Sequence, residues 1–143
     1  AGLDPHSSHR LMTPYFGAGP VIVTESVTGL AELGVAARTC VSGVAASGAW
    51  PHAPRPVFAW ELLAERALMG EAIARQHIIE NIFEPLDRDP SLRDTAEGYL
   101  ENGQSLEATA RTLFVHANTV RYRIKGITEL TGYDLTDPRD AFT

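Results

Sequence analysis

Cys40 is the only cysteine among 143 residues, so no internal disulfide can form and a disulfide-stapled scaffold is excluded. It lies in an alanine-rich apolar stretch and reads as a small core residue. Long apolar runs are also missing, none reaching the roughly 18 residues of a membrane span. Residues 1–20 lack the basic-then-apolar order of a signal peptide, and no initiator methionine is present. Aromatic residues make up only 8%, but 44% of the chain is hydrophobic, enough for a core of ordinary size. Internal repeats and low-complexity segments are absent. A soluble cytoplasmic protein of one domain or two small ones is expected.

Nor does the sequence hold a converging catalytic constellation. Asp4, His6 and His9 carry metal-ligand chemistry, but they stand in a turn-rich opening without a second cluster. Gly17-Ala18-Gly19-Pro20 precedes an apolar run instead of following a strand, the wrong order for a dinucleotide loop. His52 and His77 have no carboxylate or nucleophile at helical or strand spacing, and Trp50 and Trp60 bracket a proline segment as packing residues would. No enzyme, cofactor or metal is expected.

The net charge of −6 argues against nucleic acid only until its distribution is read. Residues 1–104 hold 7 basic and 13 acidic side chains, whereas 105–128 hold Arg111, Arg121, Arg123 and Lys125 against Glu107 alone. The acidity belongs to the first part. There, residues 1–19 read as a tail or loop, Val21 to Thr24 as a short strand, and Val27 to about Ala46 as a helix with apolar spacing at Leu30, Leu33, Ala37 and Cys40. Trp50 to Pro56 is a proline-rich connector. Val57 to Trp60 has strand character, Glu61 to Met69 is helical up to Gly70, and Glu71 to Phe83 forms a helix burying Ile73, Ile78, Ile79 and Ile82 and ending before Pro85. Asp87-Arg88-Asp89-Pro90 is a helix start and the candidate domain boundary, dividing residues 20–86 from 87–143.

Three or four short helices follow up to Phe142, among them Pro90 to about Glu101, stopped by Asn102-Gly103; Leu106 to Leu113; and Ala117 to Leu130, stopped by Thr131-Gly132. Ser105 and His116 fall where the second and third need N-caps. Only Phe114-Val115-His116 joins those two, so they must cross steeply, which is helix-turn-helix geometry. Ala108 and Ala110 permit the close approach. At about 100° per residue, Val120, Ile124 and Ile127 share one face of the last helix, and Asn118, Arg121, Tyr122 and Lys125 share the opposite one. Asn suits the N6/N7 pair of adenine and Arg the O6/N7 pair of guanine, so Asn118, Arg121 and Tyr122 are candidates for base-edge contact. His116, Thr119, Arg123 and Lys125 are candidates for backbone contact, as is Ser105 at the preceding helix N-terminus. A solvated cationic face on an ordinary helical bundle is the competing reading.

Leu113-Phe114-Val115-His116-Ala117-Asn118-Thr119-Val120-Arg121-Tyr122-Arg123-Ile124, with Ser105 to Arg111 before it, closely resembles the C-terminal helix-turn-helix of PucR/CdaR-type bacterial transcriptional regulators. Thr128 to Leu135 and Asp137-Pro138-Arg139 continue the likeness, and the helix-turn-helix is also similar to that of the Fis protein, which binds DNA as a homodimer. More weakly, Gly19 to Val23 through Leu62 to Leu68 resembles the end of the GGDEF-like domain that precedes this module, in a form that looks actinobacterial. In the family a further apolar helix follows Asp137-Pro138-Arg139-Asp140, whereas this chain stops at Thr143. The absence of a Gly-Gly-Asp-Glu-Phe string speaks against cyclic dinucleotide synthesis.

The resemblance implies a C-terminal piece of a longer regulator, mainly α with a small α+β remnant and a Fis-like helical bundle at the end. Its implied partners are a double-stranded DNA operator and a second copy of the chain, with an unidentified small-molecule effector for the full-length protein and no membrane. The rival function is a ligand-sensing or protein-interaction module in which residues 1–85 do the regulatory work and the bundle mediates oligomerisation.

Overall fold

The computed structural model describes residues 5–143, with side chains from His9 onward, and divides into two compact units, Ala1–Arg75 and Gln76–Thr143. In the first unit the order is helix α1 (Pro5–Met12), strand β1 (Ile22–Val23), helix α2 (Leu30–Ala46), strand β2 (Val57–Phe58) and helix α3 (Leu63–Leu68). The strands pair in parallel, Ile22 opposite Val57 and Val23 opposite Phe58, as a strand–helix–strand crossover requires. Where residues 1–19 are expected as tail or loop, α1 and a 3-10 turn at Thr13–Tyr15 occupy most of the described part. Pro5 suits a first helical turn, and Thr13 closes the helix by donating from Oγ1 to the His9 carbonyl at 2.7 Å. Asp4, and the side chain of His6, lie outside the described residues.

The face of α2 that packs is not the one its large residues mark. Leu30 and Leu33 are exposed, and the buried positions are Gly43 and Ala46, with Cys40 half-buried. A Cβ on Gly43 would stand 2.8 Å from Ile22 Cγ2, so any side chain there would have to displace the Ile22 side chain that packs on the helix. Arg66 is buried, with each guanidinium nitrogen bonded: Nε and Nη2 donate to Glu71 at 2.6 and 3.1 Å, and Nη1 to the Ala59 carbonyl at 2.8 Å. Burial alone would raise the pKa of Glu71, but the hydrogen bonds from Arg66 and Ser42 and the charge of Arg66 bring it below the ordinary value.

The helix expected over Glu71 to Phe83 runs on beyond Pro85, as α4 (Ala72–Ile78), a π-helical turn (Ile79–Phe83) and α5 (Glu84–Asp87). The division between the units falls within α4. Proline at 85 cannot donate to a carbonyl four residues back and would crowd it, and the wider turn just before it, closed from Glu84 N–H to Ile79 O, gives the room. Ile78 and Ile82 are half-buried, but Ile73 and Ile79 remain exposed, against expectation.

The second unit is built on α6 (Pro90–Glu101), α7 (Leu106–Thr112) and α8 (Ala117–Thr131). It begins before the Asp87–Pro90 punctuation because α5 packs on α6 and α8, and Leu86 lies against their core. Ala96, Tyr99, Ala110, Val120, Ile124, Ile127 and Leu135 form that core. Each helix start has its cap. Asp89 Oδ1 accepts from Ser91 N–H at 3.1 Å and Leu92 N–H at 3.2 Å, Ser105 Oγ from Ala108 N–H at 3.3 Å, and His116 Nδ1 from Asn118 N–H at 3.1 Å. Helix α8 ends on Gly132 in the left-handed conformation, φ 81°. Among the described residues no helix is long and apolar enough to cross a membrane.

Two stability tests follow from this packing. Ile127→Ala removes a side chain that is only 1% exposed and should cost about 2–4 kcal/mol in denaturant unfolding. A Cβ at Gly132 would meet nothing within 4 Å, so Gly132→Ala should cost about 1 kcal/mol through backbone strain alone. The hydrogen bond from Ser91 Oγ, then that from Leu92 N–H, holds the Asp89 carboxyl below its ordinary pKa. Its contribution to stability is therefore complete above the ordinary Asp value and is lost as pH falls through the lowered one. Asp89→Asn keeps an accepting oxygen but should flatten the acid side of the stability–pH curve measured by thermal melting.

Candidate nucleic-acid interface

A tight turn sets the geometry. Leu113 ends α7, Phe114 takes φ 55°, and Val115 N–H donates to the Ala110 carbonyl at 3.0 Å, turning the chain into α8 within a few residues. Val115 and Ala117 then pack on the core cluster. Small side chains make the crossings possible: Thr109 is fully buried and donates to the Ser105 carbonyl at 2.8 Å, and Gly98 of α6 lies against Thr109 and Leu113.

Opposite the buried stripe of α8, Asn118, Arg121, Tyr122 and Lys125 are all exposed, Tyr122 at 78%. Two of them form one unit, because Arg121 Nη1 donates to Asn118 Oδ1 at 2.6 Å. That bond leaves the Asn118 amide nitrogen and the rest of the guanidinium to point outward as donors. Lys125 stands one turn further on, 3.5 Å from Glu129 Oε1, an exposed pair that a stronger anion could exchange at little cost. His116 is exposed, and because its Nδ1 accepts a backbone N–H, the neutral ring carries its proton on Nε2, a donor.

The remaining sequence-selected residues sit differently. Thr119 is half-buried beside this face. Ser105 is half-buried with its hydroxyl committed to the α7 cap. Arg123 turns inward, half-buried, with Nη1 3.3 Å from Thr95 Oγ1 of α6. Its charge also lies near enough to Asp89 to favour the carboxylate there. Helical spacing places Arg123 only at the margin of the polar face, and the buried Thr95 that draws it in lies 28 positions earlier in the chain. Two exposed residues that are not among the sequence-selected contacts stand here, Arg111 in the last turn of α7 and Phe114 in the turn itself. The signal for Phe114 is a bulky residue where tight turns favour glycine, and that for Arg111 is its place in the cationic stretch 105–128. Exposed acids gather elsewhere, on α6 at Asp94, Glu97 and Glu101, where Arg93 Nη1 reaches back to Asp87 at 2.7 Å. Among the described residues no group of three or more His, Cys, Asp or Glu side chains is placed to hold a metal ion.

Two helices crossing through so short a turn, the second displaying a polar and cationic face, define a helix-turn-helix unit. Residues 92–143 match the PucR C-terminal helix-turn-helix domain, so that stretch of the chain is a PucR-type module. Over 128 residues it is 47% identical to an uncharacterized protein of Mycobacterium tuberculosis, the match covering 89% of this chain and 31% of the relative. The purine catabolism regulatory protein of Bacillus subtilis is 40% identical over 60 residues, 42% of this chain and 11% of the relative. The crystal structure of a regulator of polyketide synthase expression from Bifidobacterium adolescentis superimposes with a TM-score of 0.86 at 38% identity, covering 98% of this chain and 56% of that one. The chain thus spans about a third of the length of the mycobacterial relative.

The two arginines of α8 should separate in a thermal melt. Arg123→Ala loses the Thr95 bond and a half-buried stem and should cost about 1 kcal/mol. Arg121→Ala removes an exposed group and should change stability by less than about 0.5 kcal/mol.

Proposed function

We propose that this chain is the DNA-binding part of a transcriptional regulator, with α8 lying in the major groove and two copies reading a two-fold operator. The observation that carries this reading is the exposed, mutually hydrogen-bonded Asn118–Arg121 pair at the start of a helix that follows a tight turn. Such a pair presents donors to the acceptors on purine edges, and each bidentate contact discriminates by about 1–3 kcal/mol. Tyr122 extends the reading face. His116, Thr119 and Lys125 meet phosphate, the amides at the start of α7 approach the backbone beside Ser105, and Arg123 holds α8 on α6. The names of the Bacillus and Bifidobacterium relatives, both regulators, support the assignment.

Dimerisation follows from the small number of cations on one module, too few for tight binding alone, and from the symmetry of operators read by such helices. In this reading residues 20–86 are the end of a GGDEF-like regulatory domain, the module from 87 onward contacts DNA, and the longer protein works in the cytoplasm under control of a small effector. A cleft of about 440 Å3 within the first unit, lined in part by Thr39, Val35 and Trp60, favours a sensing role for that unit, the second reading.

Selection of bound sequences from a random duplex pool tests the proposal. A palindromic motif should be enriched by the chain and lost with Arg121→Ala. The affinity should fall with salt on a log–log slope of about −0.9 per phosphate neutralised. A folded chain that enriches nothing would overturn the DNA assignment and favour the sensing module.

A further inference from the structure

Phe114 is, at 95%, the most exposed large apolar side chain among the described residues, and its backbone is left-handed, φ 55°. Glycine takes that conformation without strain, whereas phenylalanine takes it only against the contact of its own Cβ with the backbone. The neighbours leave it no other course. Phe114 N–H donates to the Arg111 carbonyl at 3.3 Å, Val115 N–H to the Ala110 carbonyl at 3.0 Å, Val115 packs on the core and His116 caps α8. The turn therefore holds an aromatic ring in water at the entrance to α8, where it adds nothing to the packing of the folded chain.

What stands on either side indicates its use. Arg111, exposed in the last turn of α7, lies three positions before it, and exposed His116, with its Nε2–H available, lies two after. Both are phosphate-binding groups, and the apolar surface between successive phosphates of a DNA strand is the deoxyribose. Phe114 precedes α8 by three residues, outside the part of a recognition helix that reaches base edges. We infer that the Phe114 ring packs on a deoxyribose at the wall of the groove that α8 enters, between phosphates held by Arg111 and His116. The inference rests on the DNA reading above and adds to it an apolar, sequence-independent anchor. Its signature is a loss of affinity without a change in salt dependence, because a ring displaces no counterion.

Salt titrations of the 143-residue chain on a random-sequence duplex, and on the duplex enriched by selection, test it. Phe114→Asn keeps a residue that accepts the left-handed backbone but removes the ring. It should bind both duplexes roughly three- to tenfold more weakly, with the salt slope and base preference of the native chain and an undiminished melting temperature. Phe114→Tyr, which keeps the ring, should bind within about twofold of the native chain. Equal binding by Phe114→Asn and the native chain overturns the inference while leaving the DNA reading standing, provided Arg121→Ala still loses preference. A changed base preference in Phe114→Asn also overturns it, by moving the ring to a base edge, as does loss of binding in Phe114→Tyr. A native chain that binds neither duplex overturns both readings together.

Discussion

The hydrogen bond from Val115 N–H to the Ala110 carbonyl is the constraint on which the second unit depends. It takes the chain from α7 into α8 within four residues, and so sets how the two helices cross. Small residues let α7 sit close to its neighbours, Ala110 within the core shared with α8 and Thr109 against Gly98 of α6, and the apolar anchor after the turn is Val115. Once α8 is held this way, its 3.6-residue repeat sends Val120, Ile124 and Ile127 inward and Asn118, Arg121, Tyr122 and Lys125 outward. The exposed face thus follows from how the backbone turns, and its residues need no support of their own.

The electrostatic layout complements this. An acidic protein can present a cationic surface if most of its carboxylates lie elsewhere, and here 13 of the 18 lie in residues 1–104, three of them exposed on α6, while α8 carries Arg121, Arg123 and Lys125 against Glu129 alone. The first turn of α6 joins the two patterns, since Asp89 caps that helix and also feels the charge of Arg123. Capping and docking therefore reinforce each other at that corner.

The second unit was legible in the sequence because its signals are local. Caps at Asp89, Ser105 and His116, stops at Asn102-Gly103 and Gly132, and the two-faced α8 each show within a few residues of the place where they act. Features that depend on distant partners were not legible. Arg123 looks like a surface cation until Thr95 is brought beside it, and the apolar spacing of α2 points to Leu30 and Leu33 although Gly43 is what β1 approaches. Pro85 looked like a helix stop because proline breaks a regular α-helix, whereas a π turn lets the helix continue past it. In each case the deciding contact came from another element or from a backbone geometry outside the common repeats.

The bond between Arg121 and Asn118 has an evolutionary implication. Under the proposed DNA-binding role, two groups tied together do not vary as independent letters: replacing the asparagine also frees the arginine to swing, so one substitution would alter recognition at two neighbouring positions. On that proposal a lineage carrying this pair would shift its operator preference in paired steps, with intermediates that read poorly, and the coupling would preserve an old binding site even as the surrounding surface drifts.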